Sequence, residues 1–252
     1  MNEVVAWFSD PYNWRGFGGV PVRLAQHLQY SALALVVALV IAVPIGAAVG
    51  HTGRGGFLIV GFANGLRALP ELGLLTLLVL GVGVGLVPVI VALAVLGIPP
   101  LLAGTYAGIR NVDRAVVDAA RGMGMRERQV LLKVELPNAL PLMLGGLRAA
   151  ALQVVATAVV AAYVSFGGLG RFLIDGLKTG DGGQAAAGAV LVVVLALVVE
   201  GVLALVQRLV VSPGLRAAGG TRRSPTAEVA TTDTSVAAAA FHPVPEPSGV
   251  TR

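Results

Sequence analysis

Residues 118–137 read DAARGMGMRERQVLLKVELP, a charged interval between two long apolar blocks that carries Asp118, Arg121, Arg126, Glu127, Arg128, Lys133 and Glu135. Asp113 is placed to cap a helix starting at Arg114, and Arg114 and Asp118, one turn apart, are expected to form a weak surface pair. Ala119, Ala120, Gly122 and Gly124 leave one flank of that helix nearly bare, which lets another protein's backbone come close. Two glycines within three residues each weaken a helix by about 1 kcal/mol, so a break is predicted over 122–124. A second helix is predicted over 126–134, with Val130, Leu131 and Val134 as its apolar stripe, until Pro137 stops it.

Outside this interval the composition belongs to lipid. Apolar residues make up 56% of the 252, charged residues 12%, and the mean hydropathy is +0.84, which defines an integral membrane protein. The net charge of +5 invites a nucleic-acid reading, yet the arginines cluster at the ends of apolar segments without interleaved aromatics, so they read as topology signals and no nucleic-acid partner is expected. With no cysteine, disulfides, thiol nucleophiles and cysteine-held metals are excluded. His27, His51 and His242 stand isolated and read as lone surface or interface residues, so neither a catalytic set nor a metal site is expected. There is no Walker A sequence, and the GVGVG at 81–85 lacks the Lys-Ser or Lys-Thr of a phosphate loop.

About five membrane-spanning helices are predicted, an all-α architecture, over 28–49, 57–80, 87–106, 142–164 and 185–206. Gly46 with Gly50 and Gly104 with Gly108 have the small-xxx-small spacing of close helix packing. The second span is interrupted by Arg67, Pro70 and Glu71; these form either a pathway or gate element, an ion pair that fixes packing, or an arginine reaching out of a shorter span. Gln153 and Thr157 share one face of the fourth span and either hydrogen-bond a neighbouring helix or line a polar path. Arg148 lies near the start of that span, and Glu200 is expected to be buried late in the fifth. Residues 166–183 form an amphipathic stretch, with Leu169, Phe172, Leu173 and Leu177 opposite Arg171, Asp175 and Lys178.

Residues 1–26, with Trp7, Phe8, Tyr12, Trp14 and Phe17, suit either a segment at the membrane–water interface or a packed N-terminal cap. Residues 27–211 form the membrane domain, including a polar loop over 108–141, and the Pro-, Ala-, Thr- and Ser-rich 212–252 read as a disordered cytoplasmic tail. With the polar loop in the cytoplasm, eleven Arg and Lys lie inside and four outside, so an odd number of spans puts the N-terminus out and the C-terminus in.

The order Asp118, Ala119, Ala120, Gly124, Val134, Leu136, Pro137 resembles the EAA loop of ABC importer permeases, with Asp118 in place of Glu and Val134 in place of Ile. ANGLRALPELGLL (63–75), TYAGIRNVD (105–113), KVELPNALP (133–141) and FGGLG (166–170) are similar to the permeases for osmoprotectants such as glycine betaine, choline, carnitine and proline, although Glu71 stands where a small polar residue is usual. The resemblance covers about residues 26–208 and implies a type I ABC importer permease fold in the bacterial plasma membrane. In that family the loop docks on ATP-binding subunits, two per transporter. ATP would therefore bind to a partner, no cofactor is expected in this chain, and the chain would not itself be an enzyme.

A quaternary ammonium is usually held by an aromatic cage, yet Tyr30, Phe57, Phe62, Tyr106 and Tyr163 are scattered, so recognition is expected in an extracytoplasmic solute-binding protein. Five helices are too few to enclose a pathway, which implies a second permease chain, identical or related. The same machine for another small solute such as an amino acid is the nearest alternative reading. An ion-coupled secondary carrier is a further one, although no inverted repeat is visible.

Overall fold

A computed structural model of the chain describes residues 2–164 and 166–211, and its regular elements are helices. They run α1 (Asn2–Ser9), a 3-10 turn (Pro11–Trp14), α2 (Val20–Thr52), α3 (Gly56–Arg67), α4 (Glu71–Val82), α5 (Leu86–Arg110), α6 (Arg114–Gly122), α7 (Glu127–Val130), a π turn (Leu131–Glu135), α8 (Leu136–Thr157), a 3-10 stretch (Ala158–Val164), α9 (Gly170–Thr179) and α10 (Gly182–Val210). Four stretches are long and apolar enough to cross a membrane: α2, α5, the 38 residues Glu127–Val164, and α10. The bent pair α3 and α4, at 83°, makes a fifth if it is one broken span, which agrees with the expected number. The expected tail, 212–252, lies outside the described residues.

Helix ends fall beyond the apolar stretches because caps and polar partners, rather than hydropathy, set them. α2 begins at Val20 instead of residue 28, so it takes in residues assigned to the N-terminal segment. Two of its early polar residues make tertiary contacts, the Gly168 N–H donating to Gln26 Oε1 at 3.0 Å and His27 Nε2 lying 2.9 Å from Val155 O, while His27 Nδ1 and Ser31 Oγ are buried without a partner among the described residues. His27 is fully buried within the helix bundle, where a lone surface or interface residue was expected. At the other end Gly53, at φ +69°, closes α2 with its N–H on Val49 O. Asp181 starts α10 by accepting from Gln184 N at 2.9 Å.

α5 sits between α2 and α8, and glycines line both contacts. A Cβ at Gly46 would stand 2.9 Å from Thr105 Cβ, and one at Gly50 would stand 2.8 Å from Ile109 Cβ, so α2 closes on α5 as the small-residue spacing predicts. On the other face, a Cβ at Gly104 would meet Gly146 Cα at 2.8 Å and one at Gly108 would meet Ala139 O at 2.9 Å. Ala34, Ala38 and Ala42 repeat at four-residue spacing in the same core and are fully buried.

Pro137 does not stop a helix. The chain runs from Glu127 into α8 without interruption, with the π turn immediately before the proline. There the Leu136 N–H reaches back five residues to Leu131 O, and this wider turn relieves the clash that a proline ring makes with an α-helical carbonyl one turn earlier. Asn138 Nδ2 then donates to Val134 O at 2.7 Å. The fourth span thus begins in the polar interval rather than at residue 142.

The N-terminal segment both packs and exposes its rings. Trp7 meets Phe172 of α9 edge to face at 5.2 Å, whereas Tyr12 and Phe17 are exposed. On α9, Arg171 pairs with Asp175 at 2.9 Å as the helical spacing allows, but Ile174 is buried and Leu177 is exposed, so the apolar face is turned from the expected one. The turn follows from α10: a Cβ at Gly176 would stand 2.5 Å from Ala185 N, and this close approach selects the face that packs. Glu200 is half-buried and pairs with Arg148 of α8, while Arg148 Nη1 donates to Gln207 Oε1 at 2.7 Å.

Candidate functional site, the polar loop

Asp113 Oδ1 accepts from Ala115 N at 2.9 Å and starts α6. After α6 the chain turns at Gly124, whose φ of +82° is open to glycine and strained for other residues, with Gly124 N on Arg121 O and Met125 N on Ala120 O. The second helix is capped by Gln129, whose Oε1 accepts from Arg126 N at 2.9 Å. Val117, Ala120 and Val130 are buried between the two helices, with Val112, Met125 and Val134 packed around them. The result is a self-supporting helix, elbow and helix.

Of the residues expected to couple to a partner, Asp118, Ala119, Gly124 and Pro137 face outward, Val134 and Leu136 are half-buried, and Ala120 turns into the small core. A Cβ on Gly122 or Gly124 would meet nothing within 4 Å, so these two glycines with Ala119 form a bare flank, whereas Ala120, expected on it, is buried against the second helix. Arg114 and Asp118 do not pair. Instead Arg121 reaches Asp118 at 3.6 Å and grips Glu127 with two hydrogen bonds of 3.0 Å, closing the elbow; Glu127 is the main cause that raises the Arg121 pKa.

His51, expected to stand alone, lies between two carboxylates. Its Nδ1 is 2.5 Å from Glu135 Oε2, and its Nε2 is 3.2 Å from Glu127 Oε2. Both ring nitrogens thus face carboxyl oxygens, one from α7 and one from the π turn. The Glu135 side chain is 6% exposed and that of His51 13%, so this contact ties the end of α2 to the polar loop inside the protein. No spacing rule finds a partner 84 residues away; the one available signal was a histidine following a glycine at the end of an apolar span.

The other candidate residues gather at the break between α3 and α4. Pro70 caps α4 and Glu71 is its first residue, while Arg67 is exposed on the far side of the break with no ion pair to Glu71 among the described residues. Thr157 donates to Gln153 O at 2.9 Å and lies beside the Glu71 carboxyl group, and Gln153 is exposed one turn earlier on α8. The structure therefore brings Thr157 to Glu71, contacts Gln153 only through its backbone carbonyl, and leaves Arg67 apart.

Long apolar helices, a bent helix pair and one self-packed polar loop define a polytopic helical membrane protein. The chain matches the family described as binding-protein-dependent transport system inner membrane component over residues 38–216, and it belongs to that family. It is therefore a multi-pass protein of the inner membrane. It is similar to the glycine betaine/carnitine/choline transport system permease protein OpuCB of Bacillus subtilis, at 33% identity covering 79% of this chain and 92% of that one. The carnitine transport permease protein OpuCB of Listeria monocytogenes is 34% identical over 79% of this chain and 89% of that one. Among solved structures, an inward-facing form of the MetNI methionine ABC transporter matches with a TM-score of 0.68 at 22% identity, covering 81% of this chain and all of that one, which shows the shared fold.

Proposed function

We propose that this chain is the transmembrane subunit of an ATP-driven importer for osmoprotectants of the glycine betaine, carnitine and choline type. Relatives named for those solutes match it along most of their length, and this observation carries the substrate reading. The exposed helix, elbow and helix over 114–134 supports the mechanism. A partner that hydrolyses ATP seats against Asp118, Ala119 and Gly124, and because the loop is tied to α2 through His51 and runs directly into α8, movement of the seat moves two spans. Two ATP-binding subunits, a second permease chain and an extracytoplasmic solute-binding protein complete the assembly. ATP binds in the partner subunits, and this chain needs no cofactor and catalyses no reaction of its own.

With the polar loop facing the ATPase the C-terminus lies inside and the N-terminus outside. Arg67, Pro70, Glu71, Gln153 and Thr157 border the path or its gate. The test is uptake of labelled glycine betaine after osmotic upshift in cells with and without the chain, with Gly124→Asp as control. Uptake that requires both the chain and Gly124 supports the reading, and uptake indifferent to the chain refutes it.

A further inference from the structure

Residues 113–135 hold five basic and four acidic side chains, so the interval is nearly balanced in composition, but its surface is not. Each of the four carboxylates is engaged within this chain: Asp113 caps α6, Asp118 lies 3.6 Å from Arg121, Glu127 is held by Arg121 and His51, and Glu135 by His51. Of the five cations Arg121 alone is used in this way among the described residues. Arg114, Arg126, Arg128 and Lys133 are exposed and in no ion pair there. The fold also leaves apolar surface uncovered. Val117 and Ala120 fill the small core, while Val116, Ala119 and Met123, at i, i+3 and i+7, form a second ridge outside it. Met123 is 77% exposed and Val116 48%. Beside Met123, a Cβ on Gly122 or Gly124 would meet nothing within 4 Å. On the second helix Arg128 stands two residues before the buried Val130, which places it on the opposite, outer side.

We infer that the ATP-hydrolysing partner meets this loop with an apolar slot for Val116, Ala119 and Met123 and with a rim of carboxylates for Arg126 and Arg128, an inference that rests on the functional reading above. It makes these side chains the determinants of which ATPase subunit the permease accepts. A bilayer surface asks for bulky aromatic and aliphatic side chains and gains nothing from glycine. A bare flank beside one flexible methionine suits a protein instead, because another backbone can come close while the thioether fills an irregular pocket. The slot supplies the hold. The rim steers the approach and rejects a partner whose own rim is basic.

The test titrates the transporter's ATPase subunit onto the full-length permease in nanodiscs at about 50 mM and about 500 mM salt. Arg126→Glu combined with Arg128→Glu is expected to raise the Kd about tenfold or more at the lower salt and less than about threefold at the higher, because exposed charges are screened. Met123→Gln is expected to raise it about fivefold or more at both, because an apolar contact is not screened. Weakening by the arginine variant that is equal at both salts reports a disturbed loop, and no weakening reports a rim that is not acidic; either result overturns the inference. So does a Met123→Gln permease that binds as the wild type does. If the arginine variant keeps its ATPase affinity but loses uptake in proteoliposomes rich in phosphatidylglycerol and not in those of phosphatidylcholine alone, the cations face the membrane and the inference falls. A wild-type permease that binds no ATPase subunit at either salt refutes the functional reading itself.

Discussion

His51 Nδ1 lies 2.5 Å from Glu135 Oε2, so the last turn of α2 is fastened to the π turn from which α8 departs. Because Glu135 is buried, removing either partner leaves a polar group without its mate. Glu135→Ala is expected to destabilise the assembled transporter by about 1–3 kcal/mol. His51→Ala combined with Glu135→Ala should cost less than the sum of the two single changes. Thermal unfolding of the four proteins checks this, and strict additivity would show that the contact carries no coupling.

Gly124 adopts φ +82° with open space around it, so substitution there acts through the backbone and the partner rather than through a clash in this chain. Gly124→Ala costs roughly 1 kcal/mol of local strain and leaves transport measurable. Gly124→Asp adds a charge at the close-approach surface and abolishes coupled uptake while membrane insertion stays normal. Uptake together with copurification of the ATPase subunit decides between them, and full uptake by the aspartate variant would remove Gly124 from the docking surface.

Gly104 and Gly145 provide a contrast between two glycines in adjoining helices. A methyl group at Gly104 meets Gly146 Cα at 2.8 Å and Leu142 O at 2.9 Å, whereas one at Gly145 meets nothing within 4 Å. Gly104→Ala should lower stability by about 1–3 kcal/mol, and Gly145→Ala should leave it unchanged or raise it by a few tenths. Unfolding in detergent measures both, and equal effects would contradict the close packing of α5 on α8.

Arg148 joins α8 to α10 through Glu200 and Gln207, and Gln207 Nε2 also donates to Pro141 O at 3.1 Å. The two charged side chains are 33% and 30% exposed, so the loss on breaking the pair falls below that of a fully buried one. Glu200→Ala should lower stability measurably, and Arg148→Leu together with Glu200→Leu should recover most of the loss. A double variant no more stable than Glu200→Ala would locate the cost in lost packing.

The sequence by itself determined that the chain lives in a membrane, roughly how many times it can cross, and that residues 114–134 fold as a helix, a glycine elbow and a second helix. Hydropathy, capping by Asp113 and the breaking effect of glycine act within one or two turns, so they are legible locally. The small-residue pairs Gly46 with Gly50 and Gly104 with Gly108 were legible as packing faces, but their partners were not. Only the tertiary structure decided that Gly104 meets Gly146, that Arg148 takes Glu200, that His51 stands between Glu127 and Glu135, and that Glu71 joins Thr157 rather than Arg67. Each of these depends on which helices are neighbours and at what rotation and height they meet. Pro137 belongs with them: its ring would end an ordinary α-helix, and the π turn before it, which brings Glu135 to His51, lets the helix continue into the membrane.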